Sequence, residues 1–142
     1  MSTAVHSSSL SPLRVSLHAL REQTRTTLNR AGLTAGSTWR QLTDTFPSMD
    51  RGSAQRLLRF LRWPDDLVRS VRAMPGPHAW SAFLADAEKQ LSDSDPDVVK
   101  LRHSIDEFVK QVSSFGGSFS AMQRAVAAIP DKEIEAAAQT AV

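Results

Sequence analysis

Helix-ending residues divide this chain into helix-length pieces, and within each piece the apolar residues recur every three or four positions. Prolines, glycines and capping residues provide the breaks between the pieces. Almost no segment alternates between apolar and polar residues, as a half-buried strand would. The sequence therefore predicts an all-α protein, with an N-terminal unit of three or four helices followed by a helical C-terminal unit.

The first predicted helix runs from Ser11 or Pro12 to about Ala31. Pro12 suits the first position of a helix, where its missing N–H costs nothing, and Gly32 can end the helix. Residues 1–9 have neither the basic nor the apolar part of a secretion signal. We expect them to be a disordered lead-in.

The second predicted helix starts at Thr38, because Thr38 and Gln41 have the spacing of a capping box. Pro47 ends this helix, and a turn of residues 47–50 follows. Met49 is the one large apolar residue of the turn, and we expect it to fill the core between the helices.

The third predicted helix, from about Arg51 to Trp63, has two faces of opposite character. Its apolar face consists of Ala54, Leu57, Leu58 and Leu61. Its other face covers about 140° of the helical wheel and consists of Arg51, Gln55, Arg56, Arg59 and Arg62. Phe60 and Ser53 lie between the two faces. Arginine and glutamine are the side chains that form paired hydrogen bonds with guanine and adenine in the major groove.

The second helix, the turn and the third helix together resemble the helix-turn-helix of bacterial regulators. The apolar positions that carry this resemblance are Leu42, Phe46, Met49, Ala54 and Leu57. The chain departs from the family pattern because Pro47 stands where glycine is usual, Thr43 follows Leu42 where a small residue is expected, and the turn is one residue longer than the commonest form.

A looser resemblance, to uncharacterised proteins of high-GC bacteria that begin with an Arg-rich helix-turn-helix, covers more of the chain. It rests on residues 63–67, on the break at residues 74–77, and on residues 105–108 ahead of Gly116. These relatives are presumed regulators, so the resemblance implies a DNA-binding protein that regulates transcription.

Both resemblances imply that the third helix enters the major groove of double-stranded DNA. Side chains near the start of such a helix usually contact bases, and here these are Arg51, Ser53, Gln55 and Arg56. The residues placed nearer to phosphates or the groove edge are Arg59 and Arg62. The residues at the start of the second helix that would meet a phosphate are Ser37, Thr38 and Arg40.

Charge is divided unevenly between the two halves of the chain. Residues 1–75 contain 11 Arg, no Lys and 5 acidic residues, which gives a net charge of +6. Residues 76–142 contain 6 basic and 10 acidic residues, which gives −4 and leaves +2 for the whole chain. Because the first half contains arginine and no lysine, and the guanidinium fork fits phosphate and guanine, this pattern indicates a polyanionic partner. The alternative is a set of solvated faces with no partner.

In the second half, prolines mark the starts of the helices. Pro64 opens a short fourth helix, and Pro77 opens a fifth one after the break at residues 74–77. This break divides the chain into a predicted helix-turn-helix unit of residues 10–75 and a helical packing or interaction unit of residues 77–142.

The sixth predicted helix begins at Pro96 and carries a heptad seam over residues 98–115. The seam could join two copies of the chain in a homodimer. Packing within the chain, against a seventh helix that starts at Phe119, is favoured, because two and a half heptads are short for a free coiled coil. An alanine-rich eighth helix starts at Pro130, and the chain stops inside its pattern without a cap, as a fragment would.

The sequence carries no pattern for catalysis. His6, His18, His78 and His103 lack the spacing of metal ligands, and there is no nucleophile elbow, Walker loop or dinucleotide fingerprint. Cysteine is absent, which excludes a thiolate metal site and fits a reducing compartment. We therefore predict a cytoplasmic protein that is not an enzyme and uses no metal or cofactor.

Two alternatives to DNA binding stay open from the sequence alone. Residues 56–63 form a cationic amphipathic segment of the kind that lies on membrane surfaces. A helical interaction or dimerisation module without nucleic-acid binding is the other alternative. A membrane span is not expected, because no apolar run approaches the 18 or so residues that one requires.

Overall fold

A computed structural model describes residues 7–62, 67–114 and 117–128, which form seven α-helices and contain no strand. The helices are α1 (Ser7–Arg30), α2 (Trp39–Thr45), α3 (Arg51–Arg62), α4 (Leu67–Ala73), α5 (Pro77–Leu91), α6 (Pro96–Ser114) and α7 (Phe119–Ala127). The predicted all-α fold is confirmed. The expected start of the fourth helix at Pro64 and the expected eighth helix lie outside the described residues.

Helix α1 begins at Ser7, five residues before Pro12, so residues 7–9 of the expected lead-in are helical. The prediction placed Pro12 at the first position of the helix, but this proline lies inside it. Because proline has no N–H, the Ser8 carbonyl lacks its usual partner four residues on. At the other end, Gly32 adopts a φ of 83°. The Leu33 N–H then donates to the Leu28 carbonyl at 2.7 Å and ends the helix as predicted.

The capping box at the start of α2 is confirmed. The Gln41 N–H donates to Thr38 Oγ1 at 3.2 Å, and the Thr38 N–H donates to Gln41 Oε1 at 2.8 Å. Met49, in the connection between α2 and α3, is only 4% exposed and fills the core as expected. The five apolar positions on which the helix-turn-helix resemblance rests are all buried: Leu42, Phe46, Met49, Ala54 and Leu57.

The core is organised around the pairing of α1 with α6, the most extensive helix contact in the described structure. The heptad seam of α6 is buried within the chain, as the favoured interpretation expects, but in the described structure it packs mainly on α1 and not on the seventh helix, whose Phe119 ring contacts the seam at Phe108. The described members of the seam are Val98, Leu101, Ile105, Phe108 and Val112. Arg30 closes one end of this pairing through Asp95 at 2.5 Å and Asp97 at 3.0 Å. Pairing of two copies through the seam would require α6 to leave α1.

Aromatic residues of α5 connect α2 and α3 to the C-terminal helices. The ring centroids of Phe46 and Phe83 are 4.7 Å apart. The edge-to-face pair of Phe60 and Trp80 has a centroid distance of 5.8 Å, within the range of favourable aromatic contacts. Helices from both predicted units therefore share one hydrophobic cluster. None of the described helices has the length and apolar character needed to cross a membrane.

Candidate nucleic-acid interface

Helix α3 has the two faces that its sequence predicts. The buried side chains are Ala54, Leu57, Leu58, Phe60 and Leu61. We call the opposite side the arginine face, and it consists of Arg51, Gln55, Arg56, Arg59 and Arg62. The four arginines are exposed, whereas Gln55 and the neighbouring Ser53 are half-buried. The helix therefore presents its cations to solvent on a rigid support.

Phe60 differs from the prediction, which placed it on neither face of α3. The ring is fully buried, with the Arg21 guanidinium 4.6 Å from its centroid and the edge contact with Trp80 on another side. Burial of Phe60 together with the leucines leaves α3 no free apolar side. The membrane-surface interpretation of residues 56–63 needs such a side in contact with lipid, and in this fold the core occupies it.

Trp39, at the start of α2, holds two of the cations. The guanidinium carbons of Arg40 and Arg51 lie 5.2 Å and 4.7 Å from the centroid of its half-buried ring. Each such contact contributes about 0.5–1 kcal/mol at an exposed site. Neither arginine forms an ion pair with an acid of the described chain. Two unneutralised guanidinium groups, one from α2 and one from α3, are therefore held at one place on the surface.

The remaining cations of the arginine face are less restrained. Arg62 donates from Nε to the Ala35 carbonyl at 3.3 Å. Arg56 and Arg59 have no hydrogen bond, ion pair or ring contact with any residue that the structure describes. These two side chains keep their rotamer freedom and can adapt to a partner, at the cost of ordering them on binding.

Ser37 and Thr38, the predicted phosphate contacts at the start of α2, already serve as local caps. The Thr34 N–H donates to Ser37 Oγ at 2.9 Å, and Thr38 takes part in the capping box. Both hydroxyl oxygens therefore accept hydrogen bonds from the chain, and the Thr38 N–H is also in use. Only their O–H groups are left to donate to a phosphate.

Asp50 caps the start of α3, a role that the sequence analysis missed. Its Oδ1 accepts the Ser53 N–H at 2.6 Å, and this hydrogen bond holds the pKa of Asp50 below its ordinary value. Aspartate is among the preferred capping residues, so the sequence did contain the signal. Because Asp50 already places a negative charge at this helix end, phosphate contacts here depend on the arginine side chains rather than on the helix dipole.

The lowered pKa predicts how the cap responds to acid. The contribution of Asp50 to stability is fully present above the ordinary aspartate pKa of 3.8 and is lost as the pH falls through the lower pKa of the folded state. Asp50→Asn, which caps without a charge, should therefore be less stable than wild type near neutral pH, and the difference should shrink below about pH 4. Urea unfolding across this range measures it. Asp44→Asn on α2 is the charge control, and an unchanged Asp50→Asn difference down to about pH 2 contradicts the prediction.

Two arginines of α1 hold the other end of α3. Arg21 is 2% exposed, donates from Nε to the Phe60 carbonyl at 3.3 Å and from Nη2 to Ser70 Oγ at 2.8 Å. Arg25 donates from Nη2 to the Leu61 carbonyl at 2.8 Å. These carbonyls lie in the last turn of a helix, where cations are favourable. Arg21 was missed, although its position four residues after the buried Leu17 puts it on the packed stripe of α1.

The connection between α2 and α3 is held from α5. The Ser48 N–H and hydroxyl both donate to the carboxylate of Asp86, each at 2.8 Å. Gln90 Nε2 donates to the Thr45 carbonyl at the end of α2. Asp86 was missed as well, and its position three residues after Phe83 on the buried stripe of α5 was the available signal.

The fold and this surface define the class to which the chain belongs: an all-helical protein that displays an arginine face on a helix braced at both ends. The described residues contain no group of three or more histidine or acidic side chains that could hold a metal ion. No known protein family matches the chain, and neither a curated protein nor a solved structure shows significant similarity to it.

Proposed function

We propose that this chain binds double-stranded DNA through the arginine face, with α2, residues 46–50 and α3 acting as a helix-turn-helix. The observation that carries the proposal is the set of exposed arginines without an acidic partner among the described residues. Regulation of transcription is the use that we expect of such a protein.

The lack of neutralising acids distinguishes this surface from an ordinary solvated face. Exposed cations usually alternate with acids, because like charges that crowd on one helix repel each other. On α3 the exposed positions hold four arginines and no acid. DNA relieves such repulsion, and binding is driven further by the counterions that each phosphate contact releases. The rigid fork of arginine also suits guanine edges, which a lysine point charge does not.

The contacts within the chain suggest a division of roles. Arg40 and Arg51 are restrained on Trp39, and we assign to them contacts with the phosphate backbone that set the orientation of the protein. Arg56 and Arg59 are unrestrained, and we assign to them the base edges, together with Gln55 for adenine. Arg62 lies at the end of α3 and suits the groove edge.

A salt titration tests the proposal. Wild type should bind random duplex DNA with a slope of log affinity against log salt of about −3 to −6, since each phosphate contact adds about −0.9. The triple variant Arg51→Ala/Arg56→Ala/Arg59→Ala should lose about 100-fold in affinity at low salt and flatten the slope by about 1, because Arg51 is the one of the three assigned to a phosphate. Circular dichroism should show unchanged helicity.

The matched control removes the same charge elsewhere. Lys100→Ala/Lys110→Ala/Arg124→Ala takes three exposed cations from α6 and α7 and should change affinity by less than about threefold. Equal losses in the two triple variants would mean that net charge, rather than the arginine face, drives the binding. No binding by wild type at low salt would reject the proposal and leave a protein-interaction module as the better account.

A further inference from the structure

Asp86 is a buried carboxylate whose partners are both neutral. It is 2% exposed, and its two oxygens accept from the N–H and the hydroxyl of one residue, Ser48. No cation of the described chain is within ion-pair distance of it. Removal of a carboxylate from water is expensive, and two neutral hydrogen bonds repay the cost only in part. Stability alone therefore explains this residue poorly.

What the carboxylate supplies is a fixed geometry. Its two acceptors match two donors that differ in direction and belong to the same turn residue, so the bonds define both the position and the rotation of Ser48. An apolar side chain at residue 86 would suit the buried side of α5, but it would leave the Ser48 N–H without this acceptor. Buried polar groups of this kind serve in several proteins to select one arrangement of the chain.

Local contacts account for part of the conformation of the connection. Pro47 fixes its own φ angle, the Met49 N–H donates to the Phe46 carbonyl at 3.3 Å, and no residue from 46 to 50 has a positive φ. Three residues of α5 also contact the connection and the end of α2. Phe83 packs on Phe46, Asp86 binds Ser48, and Gln90 binds the Thr45 carbonyl. Their spacing of three and four places them on one side of α5.

We infer that Asp86 is a positioning residue for the arginine face, an inference that rests on the proposed function. By holding Ser48, Asp86 fixes where α3 begins relative to α2, and this decides whether Arg51 reaches the ring of Trp39 beside Arg40. The helices after the break at residues 74–77 thus set the geometry of the surface that meets the DNA.

Asp86→Ala tests the inference, because alanine offers no acceptor to either donor of Ser48. Ser48→Ala removes one of the two donors and is the milder variant if Asp86→Ala fails to fold. Val112→Ala removes buried apolar volume from α6 and serves as the control for lost stability. Urea unfolding first establishes that each variant is folded under the conditions used.

The first measurement uses no DNA. In wild type and Val112→Ala, the protons of the Arg51 side chain should show the upfield NMR shift produced by the Trp39 ring. In Asp86→Ala this shift should fall by about half or more, with a smaller loss in Ser48→Ala. Hydrogen exchange at the Ser48 amide should be faster in Asp86→Ala than in Val112→Ala, because the amide has lost its acceptor.

The second measurement is the affinity for duplex DNA at one salt concentration. A binding surface whose support is loosened loses the geometry that binding requires. We therefore expect the affinity to fall about tenfold in Asp86→Ala and about threefold in Ser48→Ala, with Val112→Ala within about twofold of wild type. If wild type does not bind DNA but Asp86→Ala still loses the Arg51 shift, the positioning role is supported and the proposed function is rejected. An unchanged shift and affinity in folded Asp86→Ala would overturn the inference.

Discussion

Replacement of Arg21 with alanine is expected to lower the free energy of unfolding by about 3–5 kcal/mol, one of the two largest effects that this structure predicts. The side chain is 2% exposed, so its removal leaves a cavity. It also deprives the Phe60 carbonyl and the Ser70 hydroxyl of their guanidinium donor, and the Phe60 ring of its cation. Urea unfolding followed by circular dichroism measures the loss.

Two further variants separate the causes of this loss. Arg21→Met keeps most of the volume but none of the donors and should cost about 2–3 kcal/mol. Arg25→Ala removes a half-buried arginine that serves one carbonyl and should cost about 1 kcal/mol. If Arg21→Ala lies within about 1 kcal/mol of wild type, Arg21 does not support the end of α3, since exposed residues produce changes of that size.

Phe60→Ala is expected to cost a similar 3–5 kcal/mol, the usual range for a phenylalanine removed from a core. The ring is fully buried and contacts both Arg21 and Trp80, so no neighbour on one side alone can fill the space that it leaves. The midpoint of urea unfolding should fall, with little change in the slope of the transition.

This variant also tests how α3 is oriented. If the apolar side of α3 were held for lipid contact, Phe60 would be exposed in solution and Phe60→Ala would cost no more than about 0.5 kcal/mol. Val15→Ala supplies the comparison, because Val15 is 59% exposed on α1 and should produce a change of that small size. Phe60→Leu should fall between the two alanine variants.

The ends of the helices could be predicted from the sequence because local chemistry sets them. Thr38 with Gln41 caps α2, Gly32 follows α1 with its positive φ, and α5 and α6 begin at Pro77 and Pro96. Each of these signals acts within a few residues of the chain. The helical period of α3 also predicted that its arginines are exposed.

Contacts between distant parts of the chain could not be predicted in this way. The partners of Arg21 and Asp86 lie 38 to 49 residues away in sequence, and helical periodicity says which stripe a residue occupies but not what packs on it. Phe60 lies at the boundary of the two faces of α3, so its burial depends on the presence of α1 and α5. The residues that were missed are those that brace the arginine face, whereas the side chains of that face and their exposure were predicted.

The pairing of α1 with α6 also determines when the protein can fold during synthesis. α1 ends at Arg30 and α6 ends at Ser114, 84 residues later, so at about 5–20 residues per second the ribosome completes the partner of α1 roughly 4–17 s after α1 itself. During that interval the leucines of α1 face water and are available to chaperones or to other nascent chains. In a shortened chain that ends before α6 these leucines would stay exposed, so α3 should be expressed together with α6.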